Sequence, residues 1–177
     1  FFFTVCCIFF QFVIGFAFAV FFSQKFKAAR YIKGLLVIGY MMPMTVVALL
    51  WKFMLSPSNG IINTILVNLH IIGQPLEWLM DGSTVMWGLI IVNTWVGIPF
   101  NMLLLSTGLD NVPEEIYESA NIDGANPIQR FFYITIPMIK QSIFSVLLLG
   151  FVYTFKVFDL VYVATGGGPV DASEVLS

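Results

Sequence analysis

Two sets of polar and small residues recur at helical spacing inside apolar stretches. Asn93, Gly97 and Asn101 are four residues apart, and so are Gly150 and Thr154. Residues four apart share one face of a helix, so each set would form a stripe. Polar groups inside membrane spans are costly in lipid and usually face protein or a water-filled cavity. These stripes could hydrogen-bond an uncharged solute such as a sugar; the alternative is helix packing, which also uses small residues and amides.

A third informative stretch runs from residue 106 to residue 136. Pro113 can begin a short helix whose first turn holds Glu114 and Glu115, where the helix dipole favours negative charge. Gly124 is placed to end that helix, because glycine adopts the left-handed conformation at no steric cost.

A second short helix is predicted directly after this turn. Asn126 can cap it, Pro127 would take its first position, and Gln129 follows the cap by three residues, as in a capping box. Pro137 stands at the start of the next apolar run. The stretch therefore predicts a helix-turn-helix that joins two spans.

The residues offer little for catalysis, metal binding or nucleotide binding. His70 is the only histidine and has no second ligand at metal spacing, and Cys6 and Cys7 lie together in an apolar run. There is no Gly-x4-Gly-Lys-Ser/Thr sequence, and the Gly166–Gly168 run lacks the lysine. No basic stripe indicates nucleic-acid binding. We predict no catalytic residue, metal site or cofactor in this chain.

The composition is that of a membrane protein. Of 177 residues, 59% are hydrophobic and 10% charged, whereas a soluble domain is nearer half apolar and a quarter charged. A helix needs about 20 apolar residues to span a bilayer. We predict an all-α, polytopic helical bundle with four spans over about residues 1–22, 34–55, 85–105 and 137–158. Pro43 would kink the second span, and residues 61–72 read as an interfacial or re-entrant helix.

The basic residues predict the orientation of these spans. The segment from Ser23 to Lys33 carries four lysines and arginines, and the 106–136 loop carries Arg130, whereas the 56–84 loop has none. Short basic loops stay in the cytoplasm. The 106–136 loop is therefore predicted to be cytoplasmic and the 56–84 loop to face outward.

The cytoplasmic loop resembles the EAA loop of ABC importer permeases. Glu118-Ser119-Ala120, Gly124, Ile134 and Ile136-Pro137 match that family's Glu-Ala-Ala, glycine and Ile-x-Leu-Pro pattern at the same spacing. The departures are Ser119 for alanine and Ile136 for leucine. Asn59-Gly60-Ile61-Ile62-Asn63, Phe158-Asp159 and Thr165-Gly166-Gly167-Gly168-Pro169 are similar to the carbohydrate branch, in particular to the first of two paired sugar permeases.

This resemblance implies both a fold and a set of partners. It implies a six-helix type I importer permease, truncated here at both ends, in the bacterial or archaeal cytoplasmic membrane. The implied partners are a second permease subunit, two copies of an ABC ATPase that use ATP and Mg²⁺, and an extracytoplasmic substrate-binding protein. The permease itself would transport rather than catalyse.

The resemblance also implies a coupling role for the loop. The residues carried over are Glu118, Ser119, Ala120, Asp123, Gly124, Ile134 and Pro137. Small residues would let the short helix sit close to the ATPase, and Ile116 and Ala120, four apart, would form a shallow apolar contact face.

Three alternatives remain open at this point. An ABC permease for a non-sugar solute, such as an amino acid or an oxyanion, is the nearest. A non-ABC channel would need a ring of selectivity groups, and a membrane enzyme would need convergent catalytic side chains. The sequence favours sugar import.

Overall fold

Every regular element in the described part of the chain is helical. The computed structural model describes residues 1–24, 28–155, 157 and 159–165. The helices in chain order are α1 (Phe2–Ser23), α2 (Ala29–Tyr40), α3 (Met44–Met54), α4 (Ile61–Asn68), α5 (Val85–Asp110), α6 (Glu114–Ile122), α7 (Pro127–Arg130), α8 (Ile136–Met138), α9 (Lys140–Phe155) and α10 (Asp159–Thr165), with a π-helical turn, Phe131–Thr135, between α7 and α8. The prediction of an all-α membrane protein is confirmed.

Two of the described helices are long and apolar enough to cross a bilayer unaided. Helix α1 has 22 residues and α5 has 26, which at 1.5 Å per residue gives about 33 and 39 Å. Helix α5 continues past residue 105, where the third span was expected to end, to Asp110. Up to four spans result if each of two bent helix pairs counts as one.

The predicted second span is broken rather than kinked. Tyr31–Tyr40 and Met44–Met54 meet at 98°. Pro43 is extended, with φ −57° and ψ 136°, and stands at the N-terminal cap of α3. Proline disfavours helical geometry in the residue before it, so α2 ends short of Pro43 and the chain turns. The sequence predicted only a kink at Pro43.

The predicted fourth span is also bent. Pro127–Met138 forms one helical stretch that meets Lys140–Phe155 at 65°. The stretch contains the π-helical turn followed by Pro137, and both features are established causes of helix bending. The continuous part of this span is therefore the 16 residues of α9.

Helix α1 has two faces of different character. Cys7, Gln11 and Gly15 are buried and four residues apart, whereas Val5 and Phe9 on the other side are exposed. The buried face packs along most of α5. Small residues allow this close approach: a β-carbon at Gly15 would lie 2.6 Å from that of Asn101 on α5.

The bundle contains two separate apolar clusters. One joins the first half of α1 to α3, the first half of α5 and α10, with Leu55, Leu89 and Leu160 at its centre. The other joins the second half of α1 to α5 and α9 around Met102 and Leu105. Polar residues of α1 and α5 lie between the two clusters.

The loop between α3 and α5 is ordered around one side chain. Asn63 of α4 is buried; its Nδ2 donates to the carbonyl oxygens of Ser56 and Leu76. Its Oδ1 accepts from the backbone N–H of Leu76 and from Nε1 of Trp78, both at 3.0 Å. The amide of Asn63 therefore ties together segments far apart in the loop.

Candidate functional site

A polar layer crosses the middle of the bundle. Gln11, Asn93 and Asn101 are all buried between the two apolar clusters. Nε2 of Gln11 donates to the carbonyl oxygen of Asn93 at 2.9 Å, and Nδ2 of Asn101 donates to that of Gly97 at 2.8 Å. Nδ2 of Asn93 is buried with no hydrogen-bond partner among the described residues. Buried polar groups are almost always bonded, so this donor is an exception within the layer.

This layer lines a cavity of about 300 Å³, within the usual size range of small-molecule sites. The structure brings all five residues of the two predicted stripes to its wall. The residues that line it are Gln11, Tyr40, Met44, Asn93, Val96, Gly97, Phe100, Asn101, Gly150, Tyr153, Thr154 and Val157.

The two glycines of the stripes serve different purposes. A β-carbon at Gly97 would clash with the side-chain amide of Gln11, so Gly97 makes room for a helix contact. Gly150 is buried, yet a β-carbon there would meet nothing within 4 Å. Gly97 thus fits the packing alternative, and Gly150 keeps the cavity open.

Aromatic rings form another side of the cavity. Tyr40 and Phe100 are stacked with centroids 5.9 Å apart, and Phe100 meets Tyr153 edge to face at 5.6 Å. None of the described lining residues is charged. The wall therefore offers amides, hydroxyls and aromatic faces, which suit an uncharged polar solute.

Sequence reasoning missed Gln11 and these three aromatic residues. Gln11 carried a signal, because a glutamine in the middle of an apolar span is costly unless it faces protein or water. Tyr40, Phe100 and Tyr153 carried none, since aromatic residues are abundant in this chain and most of them face outward.

The 106–136 stretch forms the predicted pair of short helices. Gly124 has φ 78°, and its N–H bonds to the carbonyl of Asn121 while that of Ala125 bonds to Ala120. This is a Schellman motif, the usual glycine-dependent end of a helix. The Asn126 capping box is also confirmed, with Asn126 Oδ1 accepting from the N–H of Gln129 at 2.8 Å.

Helix α6 turns a different face outward from the one expected. Ala120 is only 8% exposed and Ile116 is half-buried, so they do not form an open apolar face, and that expectation was wrong. Ile122, by contrast, is 87% exposed. The α6 face that carries Tyr117, Ala120 and Asn121 turns toward α7 and the π-helical turn, because the side chains of Tyr117 and Asn121 bond to residues there.

The remaining predicted coupling residues divide by exposure. Glu118, Ser119, Asp123, Gly124 and Pro137 are exposed, whereas Ile134 is half-buried. The hydroxyl of Ser119 donates to the carbonyl of Glu115 at 2.9 Å, so it is satisfied within α6. We call the exposed residues Glu118, Ser119, Ile122, Asp123 and Gly124 the coupling surface, after the role proposed for them below.

Comparisons with known proteins agree with this architecture. Residues 11–173 match the family described as binding-protein-dependent transport system inner membrane component.

Some residues used in the sequence analysis lie outside the described part of the chain. They are the motif residues Phe158 and Gly166–Pro169 and the basic residues Lys25 and Lys27.

Among curated relatives, the trehalose/maltose transport system permease protein MalF of Thermococcus litoralis is 33% identical over 165 residues, 93% of this chain and 55% of that protein. The probable ABC transporter permease protein YurN of Bacillus subtilis is 40% identical over 134 residues, 76% of this chain and 46% of that protein. The chain thus spans about half the length of these relatives.

A solved structure shares the fold. The crystal structure of a bacterial ABC transporter involved in the import of the acidic polysaccharide alginate matches with a TM-score of 0.82 at 20% identity, covering 97% of this chain and 59% of the matched chain. Identity at this level supports the architecture alone.

Proposed function

Because this chain belongs to the family of binding-protein-dependent transport system inner membrane components, we propose that it is the permease subunit of an ATP-driven importer. It forms half of the translocation pathway for a sugar or a related polyol. The observation that carries this proposal is the uncharged polar cavity on which Asn93, Asn101 and Thr154 converge.

The chemistry of the cavity favours a neutral sugar. Sugar hydroxyls both donate and accept hydrogen bonds, and the amides of Gln11, Asn93 and Asn101 can do the same. The rings of Phe100 and Tyr153 supply an apolar surface against which a sugar ring can lie. An amino acid or an oxyanion would gain most from a charged partner, which the described lining does not offer. One of the relatives described above is named as a trehalose/maltose transport system permease protein, which agrees.

The second part of the proposal concerns how ATP hydrolysis by a partner drives transport. ATP and Mg²⁺ are bound by a separate ABC ATPase that docks on the coupling surface. Ile122 would enter an apolar groove of that partner, Glu118 would pair with a basic residue, and Gly124 would let the two backbones approach. Ala120 would act from within by seating α6, and Ile134 and Pro137 by connecting the loop to α9.

The whole assembly would place this chain in a bacterial or archaeal cytoplasmic membrane. It would pair there with a second permease, two ATPase copies and an extracytoplasmic binding protein. Import requires two global states with different contacts, one open to each side. ATPase closure would favour the outward-open state by moving the coupling surface.

Uptake by the reconstituted full-length protein tests this proposal. It would be co-expressed with the permease, ATPase and binding protein encoded beside it, and placed in proteoliposomes loaded with ATP. Radiolabelled maltose, trehalose and sorbitol would be offered, with glutamine and sulfate as the non-sugar comparison. ATP-dependent accumulation of a sugar or polyol supports the proposal; accumulation of glutamine or sulfate alone, or of nothing, contradicts it.

A further inference from the structure

Helix α6, which carries most of the coupling surface, makes only sparse contacts with the other described helices. A cleft of about 690 Å³ lies beside it, lined by the ends of α1 and α5 as well as by Tyr117 and Thr135. The backbone connection to α7 runs through Gly124, where a β-carbon would meet nothing within 4 Å. Helix α6 is linked to α5 through residues 111–113 and to α7 through residues 123–126, so side-chain contacts would add a second route from α6 to the rest of the chain.

Two side-chain contacts link α6 to the helical stretch that follows it. The hydroxyl of Tyr117 lies 2.9 Å from Oγ1 of Thr135, and Nη1 of Arg130 donates to Oδ1 of Asn121. Tyr117 and Asn121 are four residues apart on one face of α6, and their partners lie in the helical stretch that leads to α9. The two contacts thus join α6 to that stretch at two points.

The π-helical turn puts Thr135 in position for this contact. Its i→i−5 bonding, seen where the N–H of Ile136 bonds to the carbonyl of Phe131, places one more residue in the turn than an α-helix would. At 3.6 residues per turn, one inserted residue rotates the residues after it by about 100°. Thr135 is buried, at 7% exposed, and its hydroxyl also lies 3.4 Å from the carbonyl of Arg130. A π turn at this point is therefore consistent with a functional need to aim Thr135 at α6.

We propose that Tyr117 and Thr135 are positioning residues that fasten the coupling helix to the stretch leading into α9. The inference rests on the proposed function. Through this hydrogen bond, displacement of α6 by the ATPase is carried along the π-helical turn and α8 to α9. Helix α9 bears Gly150 and Thr154, which line the cavity. Neither Tyr117 nor Thr135 would touch the sugar or the nucleotide.

The test removes each hydroxyl while preserving shape. Tyr117→Phe and Thr135→Val would be made in the full transporter, alone and together, with maltose and its binding protein as the stimulus (or trehalose or sorbitol if that is what the wild type imports). Thr135→Ser keeps a hydroxyl and is the rescue variant. Tyr133→Phe is the matched control, because Tyr133 lies on the same π-helical turn but is 80% exposed.

We expect substrate-stimulated ATP hydrolysis to fall about three- to tenfold in Tyr117→Phe and Thr135→Val, the range that one net hydrogen bond spans. Unstimulated hydrolysis and the KM for substrate should stay unchanged. The double variant should be no worse than either single one, because both remove the same bond. Thr135→Ser and Tyr133→Phe should behave as wild type.

The outcomes separate this inference from the proposed function. Stimulation that survives both hydroxyl removals, or a double variant whose losses simply add, overturns the inference and leaves the importer proposal intact. A wild-type complex with neither uptake nor stimulated hydrolysis overturns both.

Discussion

The side chain of Gln11 on α1 packs directly against Gly97 on α5. The side-chain amide of Gln11 fills the place where a β-carbon at position 97 would stand. From there its Nε2 donates to the carbonyl of Asn93 at 2.9 Å. A glutamine on one span is thus matched to a glycine on another, and together they set the wall of the cavity.

Gly97→Ala should therefore destabilise the protein. The added methyl group would displace the Gln11 amide from its buried hydrogen bond or push α1 away from α5, at a cost of about 1–3 kcal/mol. We expect a lowered Tm in detergent. Gly34→Ala is the matched control, because that helical glycine has nothing within 4 Å of a β-carbon; its Tm should stay the same or rise. Equal behaviour of the two variants would contradict the packing role.

Local rules in the sequence predicted the local parts of this structure. The left-handed Gly124 and the Asn126 capping box each depend on two or three neighbouring residues, so the sequence was sufficient for them. The two polar stripes were also visible, because four-residue spacing on a helix needs no tertiary information. Spacing within one helix could not show that the two stripes meet; the structure places all five residues on the wall of one cavity.

The missed features depend on contacts between distant segments. Whether Pro43 kinks a span or separates two helices at 98° is decided by what each half packs against, and α3 packs on α10. The orientation of α6 depends on bonds to later residues, from Tyr117 to Thr135 and from Asn121 to Arg130, which no spacing rule indicated. In the sequence, Gln11 is only a polar residue within an apolar span. Its packing against Gly97 depends on how α1 and α5 meet.

Asn63→Ala should loosen the loop between α3 and α5. It removes the partner of the Leu76 N–H and of the Trp78 indole N–H, each left unsatisfied at a cost of about 1–3 kcal/mol where buried. We expect faster hydrogen exchange at Leu76 and a shifted tryptophan emission. Asn63→Asp keeps both acceptor contacts but turns a carboxylate toward the carbonyls of Ser56 and Leu76. Hydrogen exchange at Leu76 should be slower in this variant than in Asn63→Ala. Wild-type exchange at Leu76 in both variants would contradict the claim that Asn63 holds the loop together.

Ile122→Asp should weaken association with the ATPase while leaving the membrane part folded. Ile122 is almost fully exposed in this chain, so the change costs the chain itself little. Loss of a buried isoleucine from an interface is worth about 1.5–3 kcal/mol, which is about tenfold or more in affinity. Co-purification of the ATPase measures this. Ile65→Asp, at an exposed isoleucine of α4 in the loop predicted to face outward, should retain the ATPase.

Gly124→Asn tests the close approach expected at the turn. Asparagine tolerates the left-handed conformation better than other residues with a side chain, and there is room for it in this chain. Gly124→Val would add strain of about 1–2 kcal/mol to any steric effect. We expect the asparagine variant to keep the fold yet reduce ATPase co-purification. Full retention of the ATPase would place the partner away from Gly124.

The most direct test of the central claim is ATP-dependent sugar uptake by Gly150→Leu in the reconstituted transporter. A β-carbon at this position would meet nothing within 4 Å, the cavity beside it can take the rest of the side chain, and leucine is a better helix former than glycine, so the fold should be retained. Val152→Leu, at an exposed position of the same helix, is the control. If the cavity is the sugar pathway, Gly150→Leu should abolish most uptake with an unchanged or higher Tm, and Val152→Leu should transport as wild type. Wild-type uptake by a well-folded Gly150→Leu protein would contradict the claim that sugar passes through this cavity.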